Sequence, residues 1–206
     1  RGFQQVITCA IGEHVTAGVL INGEPWLGAH GLAGSIGWLA LNPVEREDYR
    51  RYGGLEAEVA AAGIVRRLVW RIKSGDRSAV ADDVGGDLTK ITADDVFQGA
   101  RGGDGVCISV VRDTAKYVGM AVANLATMLD PQAIVLGGTI AASGDMLGRL
   151  PDTFYGTPDT QDYRQVAEWI WGGAGTAPAS LYRPVLYPLM LGAALADPDP
   201  VLVFEY

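Results

Sequence analysis

Cysteine, histidine and positive charge are all scarce in this chain of 206 residues. Its two cysteines, Cys9 and Cys107, sit far apart in the apolar contexts VITCAI and GVCISVV. Free cysteine is among the most buried residue types, so both read as inert buried thiols. A disulfide framework is unsupported, and a reducing cytoplasm is the expected compartment. The two histidines, His14 and His30, belong to no HExxH pattern, and no CxxC occurs, so no catalytic metal is signalled. GxSxG and Walker A strings are missing, and no nucleophile–base triad is visible. No run of about 18 apolar residues occurs, so no membrane span is expected. Lys and Arg total 16 against 24 Asp and Glu, a net charge of -8, which disfavours nucleic acid as a partner of this segment.

What remains is an ordinary globular balance: 49% hydrophobic and 19% charged residues. The length suits one large domain or two small ones. The opening Arg1-Gly2-Phe3-Gln4-Gln5 has neither an initiator Met nor a signal-peptide pattern, and the chain is read as part of something longer.

The first forty residues read as strands. Val6 to Ile11 and Ala17 to Ile21 are apolar runs, Asn22-Gly23 is a hairpin signal, and Pro25-Trp26-Leu27 opens a third strand. An antiparallel meander is expected. The loop GAHGLAGSIGW follows, with Gly28, Gly31, Gly34 and Gly37 at every third position. That spacing marks a tightly turning backbone that approaches something closely.

From Leu55 the pattern turns helical through Val59, Ala62, Val65, Leu68 and Val69. Arg66, Arg67, Arg71 and Lys73 gather near its end and read as a solvated, dipole-compatible cluster. Residues 75 to 90 read as a loop. Thr92 reads as a helix N-cap, and Asp94, Asp95 and Asp104 as capping or solvated carboxylates. Val106 to Leu129 is the longest helical signal, stopped by Asp130-Pro131. Ala133-Ile134-Val135-Leu136 suits a strand buried on both faces of a parallel sheet, and Gly137-Gly138-Thr139 follows it. In such crossover units ligands bind at the carboxyl ends of the strands. Residues 151 to 188 allow only a possible helix from Tyr163 to Trp171. A small-residue helix is expected at Leu191 to Ala196, and the tail from Asp197 has no assignment.

Three segments, in order and in register, resemble the ROK family of bacterial sugar kinases and sugar-responsive repressors. The first is Leu20-Ile21-Asn22-Gly23-Glu24 running into Gly28-Ala29-His30-Gly31-Leu32-Ala33-Gly34-Ser35-Ile36-Gly37-Trp38. The second is Gly54-Leu55-Glu56-Ala57. The third is Asp130-Pro131 through Ile134-Val135-Leu136-Gly137-Gly138-Thr139. The match covers roughly residues 4 to 150, with Gly192 to Ala196, and corresponds to that family's C-terminal half.

The resemblance implies an α/β, actin-like ATPase (ribonuclease H-like) lobe. Its mixed sheet would carry an antiparallel meander and flanking helices, with nucleotide and sugar held between this lobe and an N-terminal one outside the chain. Residues 1–206 are then a single C-terminal lobe. On the nucleotide side the candidates are Gly12, Glu13, Gly137, Gly138 and Thr139. The family's phosphate-contacting Gly-Thr-Gly turn is replaced by Gly12-Glu13-His14, where a carboxylate would repel phosphate unless turned away. On the sugar side the candidates are His30, Ser35, Trp38 and Glu56. Ser35-Ile36-Gly37-Trp38 stands where the family reads Glu-x-Gly-His; serine reaches less far, and tryptophan offers a stacking face and one N–H. Glu56 matches a sugar-binding glutamate. The plainer alternatives are a tight strand-to-helix turn at Gly137–Thr139 and a surface carboxylate in a helix's first turn at Glu56.

The family also commonly holds a structural zinc, whose ligand positions fall here on Trp38, Glu47, Tyr49 and Gly54. All four ligands are gone together, so no zinc is expected. The loop from Asn42 to Gly53 is expected to be held by packing through Tyr49 and Tyr52. Two further family strings, the Asp-x-Gly-Gly-Thr phosphate loop and the Asn-Asp-Ala-Asn segment bearing the general base, do not occur here. This lobe alone is therefore not expected to transfer phosphate. What the resemblance implies is half of a sugar kinase, using ATP and Mg on a hexose or polyol when complete, and dimeric as the family is. The alternatives are a non-enzymatic sugar-binding regulator and a degenerate dimerisation scaffold.

Overall fold

The computed structural model describes residues 3–143 and the backbone of Leu202–Glu205. The chain starts with strand β1 (Val6–Ile11), antiparallel to β2 (Val15–Ile21), and β2 pairs with the two-residue β3 (Glu24–Pro25). The expected hairpin is there: Asn22 and Gly23 both have positive φ, as a twist-matched two-residue turn requires. The third strand is shorter than expected. It stops at Pro25, and Trp26 and Leu27 lie exposed beyond it. Proline cannot donate to a ladder and suits an edge.

Helices α1 (Glu47–Tyr52), α2 (Gly54–Val59), α3 (Ala61–Lys73), α4 (Ala79–Asp83), α5 (Ala93–Arg101) and α6 (Gly105–Leu129) follow. Then β4 (Ala133–Gly137) runs parallel to β1, with Val6 opposite Ala133 and Ala10 opposite Gly137. Strand β5 (Leu202–Glu205) closes the sheet antiparallel to β4, so part of the tail without an expected assignment is a strand. The sheet order is β3-β2-β1-β4-β5. Ala133 and Ile134 are fully buried and Val135 half-buried, in keeping with a strand covered on both faces. The expected elements between 151 and 196 lie outside the described residues.

Alternation puts Ile7, Cys9 and Ile11 of β1, Val15 and Val19 of β2, and Ile134 and Leu136 of β4 on one buried face. Against it stand Leu55, Val59, Ile64 and Leu68 from α2 and α3, and Val110, Val111, Val118 and Val122 from α6. Each fully buried aliphatic side chain of this kind is worth about 1.5–3 kcal/mol. Both cysteines are free and buried in this core, and burial pushes the thiol of Cys9 up to about 12 and that of Cys107 up to about 11.

Capping residues set the helix starts. Thr92 and Asp95 form a reciprocal capping box at α5. Asp104 accepts from the amides of Val106 and Cys107 at the start of α6, and also from the Ser78 hydroxyl and the Ala79 amide. Burial works to raise the pKa of Asp104, but these donors outweigh it and hold the carboxyl below the usual range. Asp130, at φ 43, ends α6 in the left-handed region.

Three expectations need correction. The helical pattern from Leu55 is two helices, because Ala60 is extended (φ -70, ψ 159) and the Ala61 amide donates 2.9 Å to the carbonyl of Gly12, at the end of β1. A tertiary hydrogen bond thus overrides local periodicity. Residues 75–90 contain α4 as well as loop. The basic cluster of α3 is not simply solvated. Arg66 donates to the Ala57 carbonyl, Arg67 to the Glu58 carbonyl and the Thr114 hydroxyl, and Arg71 to Ser109. Burial lowers the pKa of Arg67 while Glu58 pulls it back up.

The loop before α2 is held through Tyr49, whose hydroxyl donates to Glu58, and through Asn42, which donates 3.2 Å to the Tyr117 hydroxyl. Tyr52 does not take part: it lies exposed, with Arg51 over its ring.

Candidate functional site at the strand ends

Parallel pairing brings the C-terminal ends of β1 and β4 to the same edge of the sheet. Beyond β4 the ladder register slips. The offset is 127 residues from Val6 and Ala133 to Ala10 and Gly137, where the ladder ends; beyond it the Ile140 amide donates 3.0 Å to the carbonyl of Ile11, one residue further on than a continued parallel register would place it. The extra residue makes a turn at Gly138 and Thr139. Gly138 has φ +100, and a Cβ there would run into the Ile11 carbonyl, so only glycine fits. A Cβ on Gly12 would stand 3.1 Å from Thr139 Oγ1. Gly12 and Gly137–Thr139 are therefore immediate neighbours, although 125 residues of chain separate Gly12 from Gly137.

Glu56 reaches the same edge from the first turn of α2. Its Oε2 accepts from the Val15 amide at 2.9 Å, and its Oε1 lies 3.1 Å from His14 Nδ1. The Glu56 side chain is 17% exposed and that of His14 82%. Leu55, fully buried beside Glu56, anchors the helix in the core. The loop from Ser35 to Trp38 lies over the carboxylate: a Cβ on Gly37 would stand 3.1 Å from Glu56 Oε2 and 3.0 Å from the Val15 carbonyl. A second glycine, Gly34, holds that loop against β2. It has φ +89, its carbonyl accepts from the Ala17 amide at 2.7 Å, and any Cβ would strike the Ala17 carbonyl.

The sequence candidates divide accordingly. Gly12, Glu13, Glu56, Gly137, Gly138 and Thr139 come together at the strand ends. Ser35 and Trp38 belong to the loop crossing Glu56; Ser35 is exposed and Trp38 is 60% exposed, an aromatic face open for stacking. Glu13 is exposed and free to turn outward. His30 is exposed earlier in the loop, and among the described residues no hydrogen bond ties it to Glu56. Sequence reasoning misses His14 as the partner of Glu56. Forty-two residues separate the pair, and no spacing rule connects them.

The arrangement offers a fixed carboxylate to accept hydrogen bonds from hydroxyls, an exposed aromatic ring, and a glycine turn whose backbone an anion can approach. Among the described residues no group of three or more His, Cys, Asp or Glu is placed to hold a metal ion. No helix among them is long and apolar enough to cross a membrane.

The sequence profile of the ROK family matches residues 1–166. The chain belongs to the ROK family. Among ROK relatives it is 34% identical over 148 residues to a glucokinase of Halalkalibacterium halodurans, covering 71% of this chain and 44% of that protein. It is 29% identical over 132 residues to the DNA-binding transcriptional dual regulator NagC of Escherichia coli, covering 64% of this chain and 31% of the regulator. The fold is similar to that of a ROK family glucokinase from Streptomyces griseus solved with glucose and AMPPNP, with a TM-score of 0.62, 20% identity, and coverage of 91% of this chain and 60% of that one. It is also similar to a ROK family transcriptional regulator homologous to the E. coli MLC protein, with a TM-score of 0.60, 24% identity, and coverage of 70% and 35%. The fold is thus the actin-like ATPase fold of ROK sugar kinases, with a mixed sheet and flanking helices. The chain spans less than half the length of these two curated ROK relatives. Both glucokinases and sugar-responsive repressors occur among its relatives.

Proposed function

We propose that this chain is the C-terminal lobe of a ROK-type sugar kinase, which in its complete form transfers phosphate from ATP to a hexose or related polyol. The observation that carries the reading is that the fixed carboxylate of Glu56, bonded to the Val15 amide, and the glycine turn of Gly137–Thr139, packed on Ile11 and Gly12, stand at the same end of the sheet, where Val15 pairs with Ile11. A sugar held by Glu56 and a nucleotide approaching the turn would face one another across the strand ends. Glu56 would accept from sugar hydroxyls, with Ser35, Trp38 and His30 as further contacts on the covering loop. Gly12 and Gly137–Thr139 would receive the nucleotide backbone-first, with Glu13 turned to solvent. These residues suit a bound nucleotide at the turn; magnesium would arrive with it, and the nucleotide supplies the transferable phosphate. Zinc has no part in this reading. A homodimer and a cytoplasmic location accompany it.

The test is a coupled ADP-release assay on the complete protein, with ATP, magnesium and a panel of glucose, N-acetylglucosamine and xylose. Turnover of at least one sugar is expected. Sugar binding without turnover of any would overturn the kinase reading and leave the second: a sugar-responsive regulator. That alternative is favoured by Glu13 and His14, which replace the small residues of a phosphate turn.

A further inference from the structure

We propose that His14 is itself a sugar-contacting residue, its ring Nε2 accepting a hydrogen bond from a ligand hydroxyl while Nδ1 is held by Glu56. The inference rests on the sugar-binding reading of Glu56 and adds to it the residue that makes the outermost contact.

A carboxylate can only accept, so the 3.1 Å contact between Nδ1 and Glu56 Oε1 puts the ring proton on Nδ1. In the neutral ring the lone pair is then on Nε2. Among the described residues His14 makes no other side-chain hydrogen bond, and its side chain is 82% exposed, so Nε2 is open to a ligand. Glu56, by contrast, is largely covered and has one oxygen committed to the Val15 amide and the other facing the imidazole. The imidazole carries the accepting capacity of this recessed carboxylate outward. The same logic that orients a ring nitrogen by hydrogen-bonding the other applies here.

The chemistry also chooses the ligand class. In the neutral ring, with its proton on Nδ1, Nε2 accepts from a hydroxyl donor and offers nothing to another acceptor such as a phosphate oxygen. The partner of Nε2 is therefore a hydroxyl of an uncharged sugar or polyol, at a position where a glycine would leave the carboxylate to act alone.

The experiment uses the complete protein, calorimetric titration with glucose, N-acetylglucosamine and xylose, and nitrogen-detected NMR of the His14 ring. The free protein should show the Nδ1–H tautomer, and the bound sugar should shift the Nε2 resonance. His14→Ala should bind about three- to tenfold more weakly, the worth of one neutral hydrogen bond, with its thermal midpoint unchanged. Unchanged affinity in His14→Ala together with an unmoved Nε2 resonance overturns the proposal, while loss of binding in Glu56→Ala in the same experiment leaves the sugar-binding reading standing. If none of the three sugars binds the wild type, the reading of Glu56 falls and this inference falls with it.

Discussion

Glu56 and Glu58 are the same residue type, two positions apart on one six-residue helix, and the fold uses them in opposite ways. The Glu58 side chain is 3% exposed and stands among the Tyr49 hydroxyl, Arg46 at 3.3 Å and Arg67 at 3.5 Å. Every one of those partners belongs to the chain, and the carboxylate itself is buried behind them. Glu56 is held at one oxygen by a backbone amide and meets only an exposed imidazole at the other. A carboxylate's role is thus read from which groups complete its coordination. Glu58 is buried among cations and a phenol of its own chain and is structural. Glu56 is oriented but left with capacity at the edge of the sheet.

The contrast is tested most forcefully at Arg67. Its guanidinium bridges Glu58, the Glu58 carbonyl and Thr114, and joins α3 to α2 and α6. Arg67→Ala would leave Glu58 buried without its covered cation, and a loss of about 3–5 kcal/mol is expected in urea denaturation. Replacing both members with apolar residues, Glu58→Leu with Arg67→Met, should restore most of that loss, because desolvation then costs nothing. A double variant as unstable as the single one would mean that the pair matters for more than its charges.

A smaller effect is expected at Tyr49, where Tyr49→Phe should cost about 1–2 kcal/mol by leaving a Glu58 oxygen short of its donor. Burial, and then the neighbouring Glu58, raises the pKa of the Tyr49 phenol above its ordinary value. A raised folded pKa means that the phenol's contribution is whole below about pH 10, where the unfolded tyrosine titrates, and is lost as pH rises beyond it. The stability gap between wild type and Tyr49→Phe should therefore narrow in alkaline solution; a gap that widens there would contradict this arrangement.

The smallest effect on stability is expected at Glu56. Glu56→Ala should change the unfolding free energy by only about 1 kcal/mol, since it removes the acceptor of a single amide, that of Val15 at the start of β2, and frees an exposed ring. Sugar affinity in the complete protein should nonetheless fall about ten- to a hundredfold, as for a lost hydrogen bond to a charged group. A large stability loss with unaltered affinity would make Glu56 a second Glu58.

Much of the fold is legible in the amino-acid sequence alone. The hairpin at Asn22-Gly23 follows from positive-φ chemistry, the start of α5 from the Thr92–Asp95 box, and the parallel strand from the run Ala133 to Leu136. Those signals are local, and local chemistry suffices to produce them. The break at Ala60 is not legible, because it exists to send one amide to Gly12, 49 residues earlier in the chain. The inward use of Arg67 is equally hidden, since a basic residue near a helix end has the same pattern whether its partner is water or a buried glutamate. In the site, resemblance points to Glu56 and Gly137–Thr139, while His14 is visible only as a departure from a phosphate turn.

By itself, then, the sequence determined strands β1, β2 and β4, the start of α5 and the turn at Asn22-Gly23, all of which depend on side-chain period and backbone preference within a few residues, and its motifs carried the resemblance to the family. Only the tertiary structure decided that Glu58 is buried and Glu56 is not, that His14 meets Glu56, and that Gly12 touches Thr139. Burial and partnership are set by which distant segments pack together, and residues two apart on one helix can face opposite surroundings.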